Sequence, residues 1–422
     1  MPSPPRRAPL DHDFEMDEEL SQDEASFTVP TNFTRARLSD LVRDIKLPKI
    51  GHEILASELS FCCLTDSSVL VHQAKTRDAP FKKYFKTADR IVYCCDIMGL
   101  IELFMDYNPN EWRLFLDASC SSFKACLIHN GNEFPTIPVA YTTIFKESRF
   151  SVEKIFEKLQ YEKHNWLICG DFKMLNFVLG LQQGYTSHPC FLCLWDSRAD
   201  DEHYRRKEWP RRTEWVPSKQ NIQHKKLADL ENILLPPLHI KLGLMKQFIS
   251  TLVSQNQGVF EFLCDFFAKD LSVDKIKAAG SFTGPLIRRL IEHEPFNHYL
   301  EPIQLNAWKA FQDVISSFFG NIKSPDFERK VANLIQAFEK MGCRMSIKMH
   351  FLDSHLDWFP DNLGDFSEEQ GEKFHQTLKF FERNYSSTWQ ESMMSDYMWF
   401  TLKECDEPRP RTVRRKHFVL RK

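Results

Sequence analysis

Residues 112–132, WRLFLDASCSSFKACLIHNGN, decide what kind of chain this is. They read as an apolar run closing on Asp117, a small polar turn, a second run FKACLIH at 123–129, and the turn pair Asn130-Gly131. Downstream, PTIPVAYTTIF (135–145) supplies a third strand. A helix follows, with Val152, Ile155, Phe156 and Leu159 at helical spacing, and NWLICGD (165–171) gives a fourth strand ending in Asp171. The order is β-β-β-α-β, an α/β chain with a mixed sheet. If the first and fourth strands are neighbours, their ends bring two carboxylates into one groove. Carboxylates are hard oxygen donors suited to Mg²⁺ or Mn²⁺, and two such ions roughly 3.5–4 Å apart can serve phosphodiester chemistry. An Asp at a strand end is also a common turn or cap residue, so the pair needs a third member.

That third member is sought on a late helix. DFSEEQGEKFHQTLKFFERNY (365–385) offers Ser367 as an N-cap, Glu368, Glu369 and Glu372 near the start, and Phe374, Leu378 and Phe381 as the apolar face. Glu368 and Glu369 read as acids favoured by the helix dipole. Glu372 lies deeper, three residues from His375 on the same face, and is the chosen third carboxylate; Glu369 is the alternative.

A second constellation involves thiols. Cys190-x-x-Cys193 is half of a zinc site, 19 residues after Asp171. KMHFLDSHL (348–356) supplies His350 and His355 with four residues between them, and His355 precedes Glu372 by 17 residues. His203 and His239 are rival ligands. Cys62-Cys63 and Cys94-Cys95 sit as adjacent pairs in apolar, strand-like runs, where small buried thiols pack well.

Taken together, Asp117, Asp171 and a later helical Glu on a β-β-β-α-β frame resemble the RNase H-like core of DDE/D transposases, over roughly residues 110–385. LPPLHIKLGLMKQF (235–248) and MHFLDSHLDWFPDNLGDFSEEQGEKFHQ (349–376) are similar to stretches of transposon-derived reading frames. The Cys-Cys then His-His order resembles the zinc-braced branch that holds the V(D)J recombinase and Transib transposons. The resemblance implies an RNase H-like mixed sheet core with a large all-α insertion before the last acid. It also implies two catalytic Mg²⁺ or Mn²⁺ on Asp117, Asp171 and Glu372, and one structural Zn²⁺ on Cys190, Cys193, His350 and His355. The zinc would close the 201-residue excursion between Asp171 and Glu372 at its base.

DNA is then the expected partner. SRADDEHYRRKEWPRRTEWVPSKQNIQHKK (197–226) interleaves Arg205, Arg206, Lys207, Arg211 and Arg212 with Trp209 and Trp215, a mixture suited to phosphates and unstacked bases, or to a merely solvated loop. The net charge of −3 says little, but 8 acidic residues crowd positions 11–24 and 7 basic ones positions 409–422. No apolar run is long enough to span a bilayer, and no signal peptide is legible at the start, so a reducing, intracellular setting, in the nucleus, is expected. The expected divisions are a disordered acidic tail (1–35), a small N-terminal module (36–108), the first part of the core (109–199), a helical insertion (200–349), the catalytic helix and end of the core (350–400), and a basic tail (401–422). Two functions fit: a metal-dependent polynucleotidyl transferase or endonuclease acting on DNA, with a homodimer as its working form, or a non-catalytic, zinc-braced DNA- or protein-binding descendant. The absence of a legible sequence-reading module favours the second, and the acidic residues favour the first.

Overall fold

The computed structural model describes residues 32–118, 122–144, 147–278, 282–385 and 390–402. The acidic and basic stretches near the two ends lie outside these residues.

Two helices, α1 (Arg35–Asp44) and α2 (Lys49–Phe61), lead into a six-stranded sheet. Its strands are β1 (Phe85–Ala88), β2 (Ile91–Cys94), β3 (Trp112–Ala118), β4 (Phe123–His129), β5 (Ile137–Thr142) and β6 (Leu167–Gly170). Their spatial order is β1-β2-β5-β4-β3-β6. All neighbours are antiparallel except β3 and β6, which run parallel with Leu116 paired to Gly170. The segment 36–108, read as a small module, therefore contributes two strands to the same sheet. Beyond β6, Ile233 forms a single parallel bridge to Ile168, and the Leu234 N–H donates to the Ile168 carbonyl at 2.9 Å.

Every residue of β4 and β5 is buried, which requires cover on both faces. One cover is α3 (Arg149–Leu159), the crossover from β5 to β6, joined by α4 (Phe172–Leu179) after β6. The α3 helix begins where the Ser148 hydroxyl accepts from the Ser151 N–H, and it buries Val152, Ile155 and Leu159. Each such side chain is worth roughly 1.5–3 kcal/mol of transfer free energy.

After α4 the chain runs through irregular backbone, and its long helices begin only at α5 (Pro237–Gln255). The helical insertion expected from residue 200 thus starts with a loop-rich stretch, because 197–226 has too few apolar side chains at helical spacing to bury a stripe. The chain then forms α6 (Gln257–Phe266), α7 (Pro302–Ser317), α8 (Phe327–Lys340) and α9 (Ile347–Ser354), with α5 packed against α6, α7 and α9. A capping box between Glu301 and Gln304 opens α7.

The chain returns to the sheet as α10 (Glu369–Asn384) and α11 (Gln390–Thr401), which cover the face opposite α3 and α4. The expected apolar stripe Phe374, Leu378 and Phe381 is buried. The helix starts at Glu369, whose N–H is accepted by the Ser367 hydroxyl at 3.2 Å. The α10 backbone approaches the sheet at Gly371, where a Cβ would lie 2.5 Å from the Phe115 ring of β3, so any larger residue would push the helix outward.

The two ends of the described chain are clasped. Arg77 donates to both oxygens of Asp396 on α11 at 2.7 and 2.9 Å, and the Arg43 Nε–H donates to the Trp399 carbonyl at 2.8 Å. His52 is buried beside Arg77. Burial, then the Arg77 and Arg43 charges, lower its pKa to about 4. Of the four paired thiols in the N-terminal segment only Cys94 is buried; Cys62 and Cys63 end α2 in the open, and Cys95 is exposed.

Candidate functional site

The parallel pairing of β3 and β6 fixes the first feature. Leu116 faces Gly170, so Asp117 and Asp171, each one residue further on, stand side by side at the C-terminal ends of neighbouring strands. Adjacent strands lie about 4.8 Å apart, so the two aspartates share one end of the sheet. Asp171 caps α4, with Oδ1 accepting from the Met174 N–H at 2.7 Å. Asp117 Oδ2 accepts from His375 Nδ1 of α10.

Glu372 comes to the same place from α10. Its Oε1 is 3.8 Å from His239 Nε2. Burial raises its pKa, and the negative charges of Asp117 and Glu368 add to the effect against the opposing His239 and His375. Glu369, the alternative, points away: it is well exposed and meets Arg288 at 4.0 Å.

Two members of this site were not singled out for it by sequence. Glu368, read as a dipole acid, is fully buried; its Oε1 accepts from the His239 N–H at 2.8 Å and from His239 Nδ1 at 2.9 Å, while Oε2 has no hydrogen-bond partner among the described residues. His239, a rival zinc ligand in the sequence, belongs to the carboxylates. Burial pushes its pKa down, but the Glu368 hydrogen bond and charge, with Glu372 and Asp171, raise it above the ordinary imidazole value. The only sequence signal was the run of Pro236 and Pro237 just before it, which marks a helix start.

Buried Arg113 of β3 anchors the entry to α10. It donates to the Ser367 carbonyl at 2.8 Å, to the His129 carbonyl at 2.8 Å and to Asn132 Oδ1 at 2.8 Å. The Asn130-Gly131 turn region also holds this entry, through the Asn132 side-chain amide donating to the Gly364 carbonyl at 3.0 Å.

The second centre gathers Cys190, Cys193, His350 and His355. One donor atom from each lies within 4.8 Å of all the others, and the group can hold a metal ion such as zinc. Cys193 Sγ is 3.2 Å from His350 Nε2 and 3.3 Å from His355 Nε2; Cys190 Sγ is 3.5 Å from His355 Nε2. Tetrahedral zinc, with bonds of about 2.3 Å to sulfur and about 2.0–2.1 Å to nitrogen, sets its donors about 3.5 Å apart, so the residues fit the ion. The hydrogen bond with Cys190, then those with His350 and His355, draw the Cys193 thiol down toward the thiolate, while burial pushes Cys190 up.

The surroundings hold this geometry. The Leu192 N–H donates to Cys190 Sγ at 3.4 Å, the Trp195 ring stacks on His350 with centroids 4.7 Å apart, and His350 Nδ1 is 3.3 Å from the Ser354 hydroxyl. His203, the other rival ligand, packs against Trp195 and donates Nε2–H to the Asp196 carbonyl at 2.8 Å.

The basic loop divides. Arg205, Arg206, Lys207 and Arg211 are exposed, and the Arg206 guanidinium lies 4.4 Å above the ring of half-buried Trp209. Arg212 does not belong with them. It is buried and donates to the carbonyls of His188 at 2.9 Å, Cys190 at 3.0 Å and Gln220 at 2.9 Å, which makes it a brace of the cysteine loop rather than a surface contact.

Residues 73–228 match a family described as Domain of unknown function (DUF8703), and residues 237–320 match Domain of unknown function (DUF8704). No curated protein matches the chain. The first match spans Asp117, Asp171 and the cysteine pair; His350, His355 and Glu372 lie beyond both.

Proposed function

We propose that the chain is a transposon-derived, DDE-type polynucleotidyl transferase or endonuclease acting on DNA in the nucleus. Its core would be RNase H-like, with Asp117, Asp171 and Glu372 as the acidic triad and zinc on the Cys2His2 group as a structural brace. The observation that carries this reading is the convergence of carboxylates at one end of the sheet: Asp117 and Asp171 on adjacent parallel strands, and Glu372 close enough for the Asp117 charge to act on it. The order β5-β4-β3-β6, an antiparallel meander followed by a crossover to a parallel strand, supports the same reading.

Divalent ions bound by the triad would activate water and stabilise the departing 3′-oxygen of a phosphodiester. The chain's own part is positioning. His375 holds Asp117, the Met174 N–H holds Asp171, and His239, itself held by Glu368, faces Glu372. These contacts fix the three oxygen donors before substrate arrives, so little reorganisation is needed at the moment of reaction. Exposed Arg205, Arg206, Lys207 and Arg211 would meet phosphates, with Trp209 offering a face to a base.

One observation favours the non-catalytic alternative: Asp117 and Asp171 already have protein partners and are satisfied as they stand. Plasmid nicking decides between the two. Purified protein with Mg²⁺ or Mn²⁺ should nick supercoiled DNA, Asp117→Asn, Asp171→Asn and Glu372→Gln should each abolish nicking, and Glu369→Gln should not. Absence of cutting or joining with either ion, including on the sequences that flank its gene, would overturn the enzyme reading.

A further inference from the structure

Beside the carboxylates the fold carries a lysine that makes no direct ion pair among the described residues. Lys348 sits in the first turn of α9, two residues before His350. Its stem crosses α5 at Gly243, where a Cβ would lie 2.0 Å from Lys348 Cδ and 2.8 Å from Nζ. The crossing is open because residue 243 has no side chain. The ammonium group emerges 5.9 Å from the centre of the Phe172 ring, and Phe172 directly follows Asp171. Among the described residues Lys348 makes no ion pair and no hydrogen bond, although it is half-buried.

A second lysine stands next to it. Lys246 is exposed on α5, three residues after Gly243, and so shares its face. Burial lowers the Lys348 pKa and the Lys246 charge adds to that, while the Asp171 and Glu368 charges oppose it. Two like charges near one another repel, and among the described residues neither lysine is ion-paired to a carboxylate. Going back along the same face, His239 lies four residues before Gly243 and marks where the carboxylates begin. His239 and Lys246 are seven residues apart, about 10 Å along the helix axis, or about three nucleotides of rise along one strand of a duplex.

We propose that this face of α5, with Lys348 passed across it through the Gly243 notch, is a phosphate-binding track that lays a nucleic-acid backbone across the mouth of the carboxylate site. The inference rests on the DNA-processing reading above and adds to it a surface distinct from the 205–212 loop. Lys348 and Lys246 are positioning residues, each meeting a backbone phosphate irrespective of base. The arrangement also gives the Cys2His2 cluster a second consequence, because the helix that carries His350 also delivers Lys348.

The test measures binding of the full chain to a short fluorescent DNA duplex by anisotropy, without divalent ions, over a range of salt concentrations. Each phosphate contact contributes about 0.9 to the slope of log affinity against log salt. Lys348→Gln and Lys246→Gln should each weaken binding several-fold on any sequence and reduce the slope by about one. The double variant should reduce it by about two, and Lys340→Gln, at the far end of α8, should change neither. Gly243→Ala keeps both charges but displaces the Lys348 stem, so it should lose the Lys348 share of the slope. A merely structural lysine would shift the melting temperature and leave the slope alone. If the unaltered protein binds DNA and the exposed Lys246→Gln variant keeps its full slope, the track is refuted and the DNA-processing reading stands. If the unaltered protein binds no DNA even at low salt, both fall.

Discussion

Replacing Cys193 by serine should release a metal and loosen the whole helical region. The Cys193 and His350 donors are 157 residues apart in sequence and 3.2 Å apart in space. Treated as a cross-link, a closure of that length constrains the unfolded chain by about 5 kcal/mol through loop entropy. That is a ceiling, because α5 packs on α9 and α10 packs on the sheet, so the ends of the loop are held together by other contacts as well. A loss of about 3 kcal/mol is therefore expected, which at about 2–4 °C per kcal/mol lowers the melting temperature by about 6–12 °C. The assay combines elemental analysis with thermal unfolding, with and without a chelator. Unaltered protein should carry about one zinc per chain, the ratio set by a single four-donor site, and should lose the same few degrees when stripped. Cys193→Ser and His355→Ala should arrive metal-free and already destabilised. Cys264→Ser, a partly buried thiol on α6, should behave as the unaltered protein does. Freshly prepared protein with no metal, and with a melting temperature that Cys193→Ser does not change, would refute the reasoning.

Three further outcomes follow from the packing. Gly371→Ala places a methyl against the Phe115 ring, so it should cost about 1–3 kcal/mol by denaturant titration and, by moving Glu372 off the site, reduce any nicking more than it reduces stability. Arg212→Ala should leave DNA affinity nearly unchanged while destabilising the cysteine loop by about 2–3 kcal/mol, since three carbonyls lose their donor; a fall in the salt slope instead would return Arg212 to the surface contacts. His52 has its folded pKa lowered to about 4 from an unfolded value of 6.5, so between those values the unfolded chain binds the extra proton. Its burial thus costs nothing above pH 6.5, and it removes about 3 kcal/mol of stability as the pH falls to 4. His52→Gln should flatten that part of the stability profile, and an unchanged profile would show that other groups carry it.

Much of the sheet was legible because each strand has its own local boundary. Asp117, the small residues after it, Asn130-Gly131 and Asp171 all stop apolar runs, and β4 follows the run FKACLIH residue for residue. The four metal donors were legible from residue type and order, although only the fold could bring positions 193 and 350 together. What escaped was set by distant partners. The run ending in Cys94-Cys95 looks strand-like by itself, but its place in this sheet was not legible, because β2 joins by pairing with the distant β5 and β1 joins through β2. Glu368 has the sequence position of a solvated helix-start acid, yet His239 from α5 closes over it, and nothing within ten residues announces that. Arg212 was counted with its basic neighbours because a guanidinium looks the same in sequence whether water or three carbonyls await it.

All six strands lie between residues 85 and 170, well before the last of the carboxylates is encoded. During synthesis all six strands are therefore made, with the register that pairs Asp117 and Asp171 already encoded, while α9, α10 and the donors at 350, 355 and 372 have yet to leave the ribosome. The nascent chain would hold two aspartates but no third acid and only half of the thiol-imidazole cluster. Any chemistry that needs the complete set is withheld until translation is nearly finished, and a prematurely terminated copy also lacks α10 and α11, the cover of one face of the sheet.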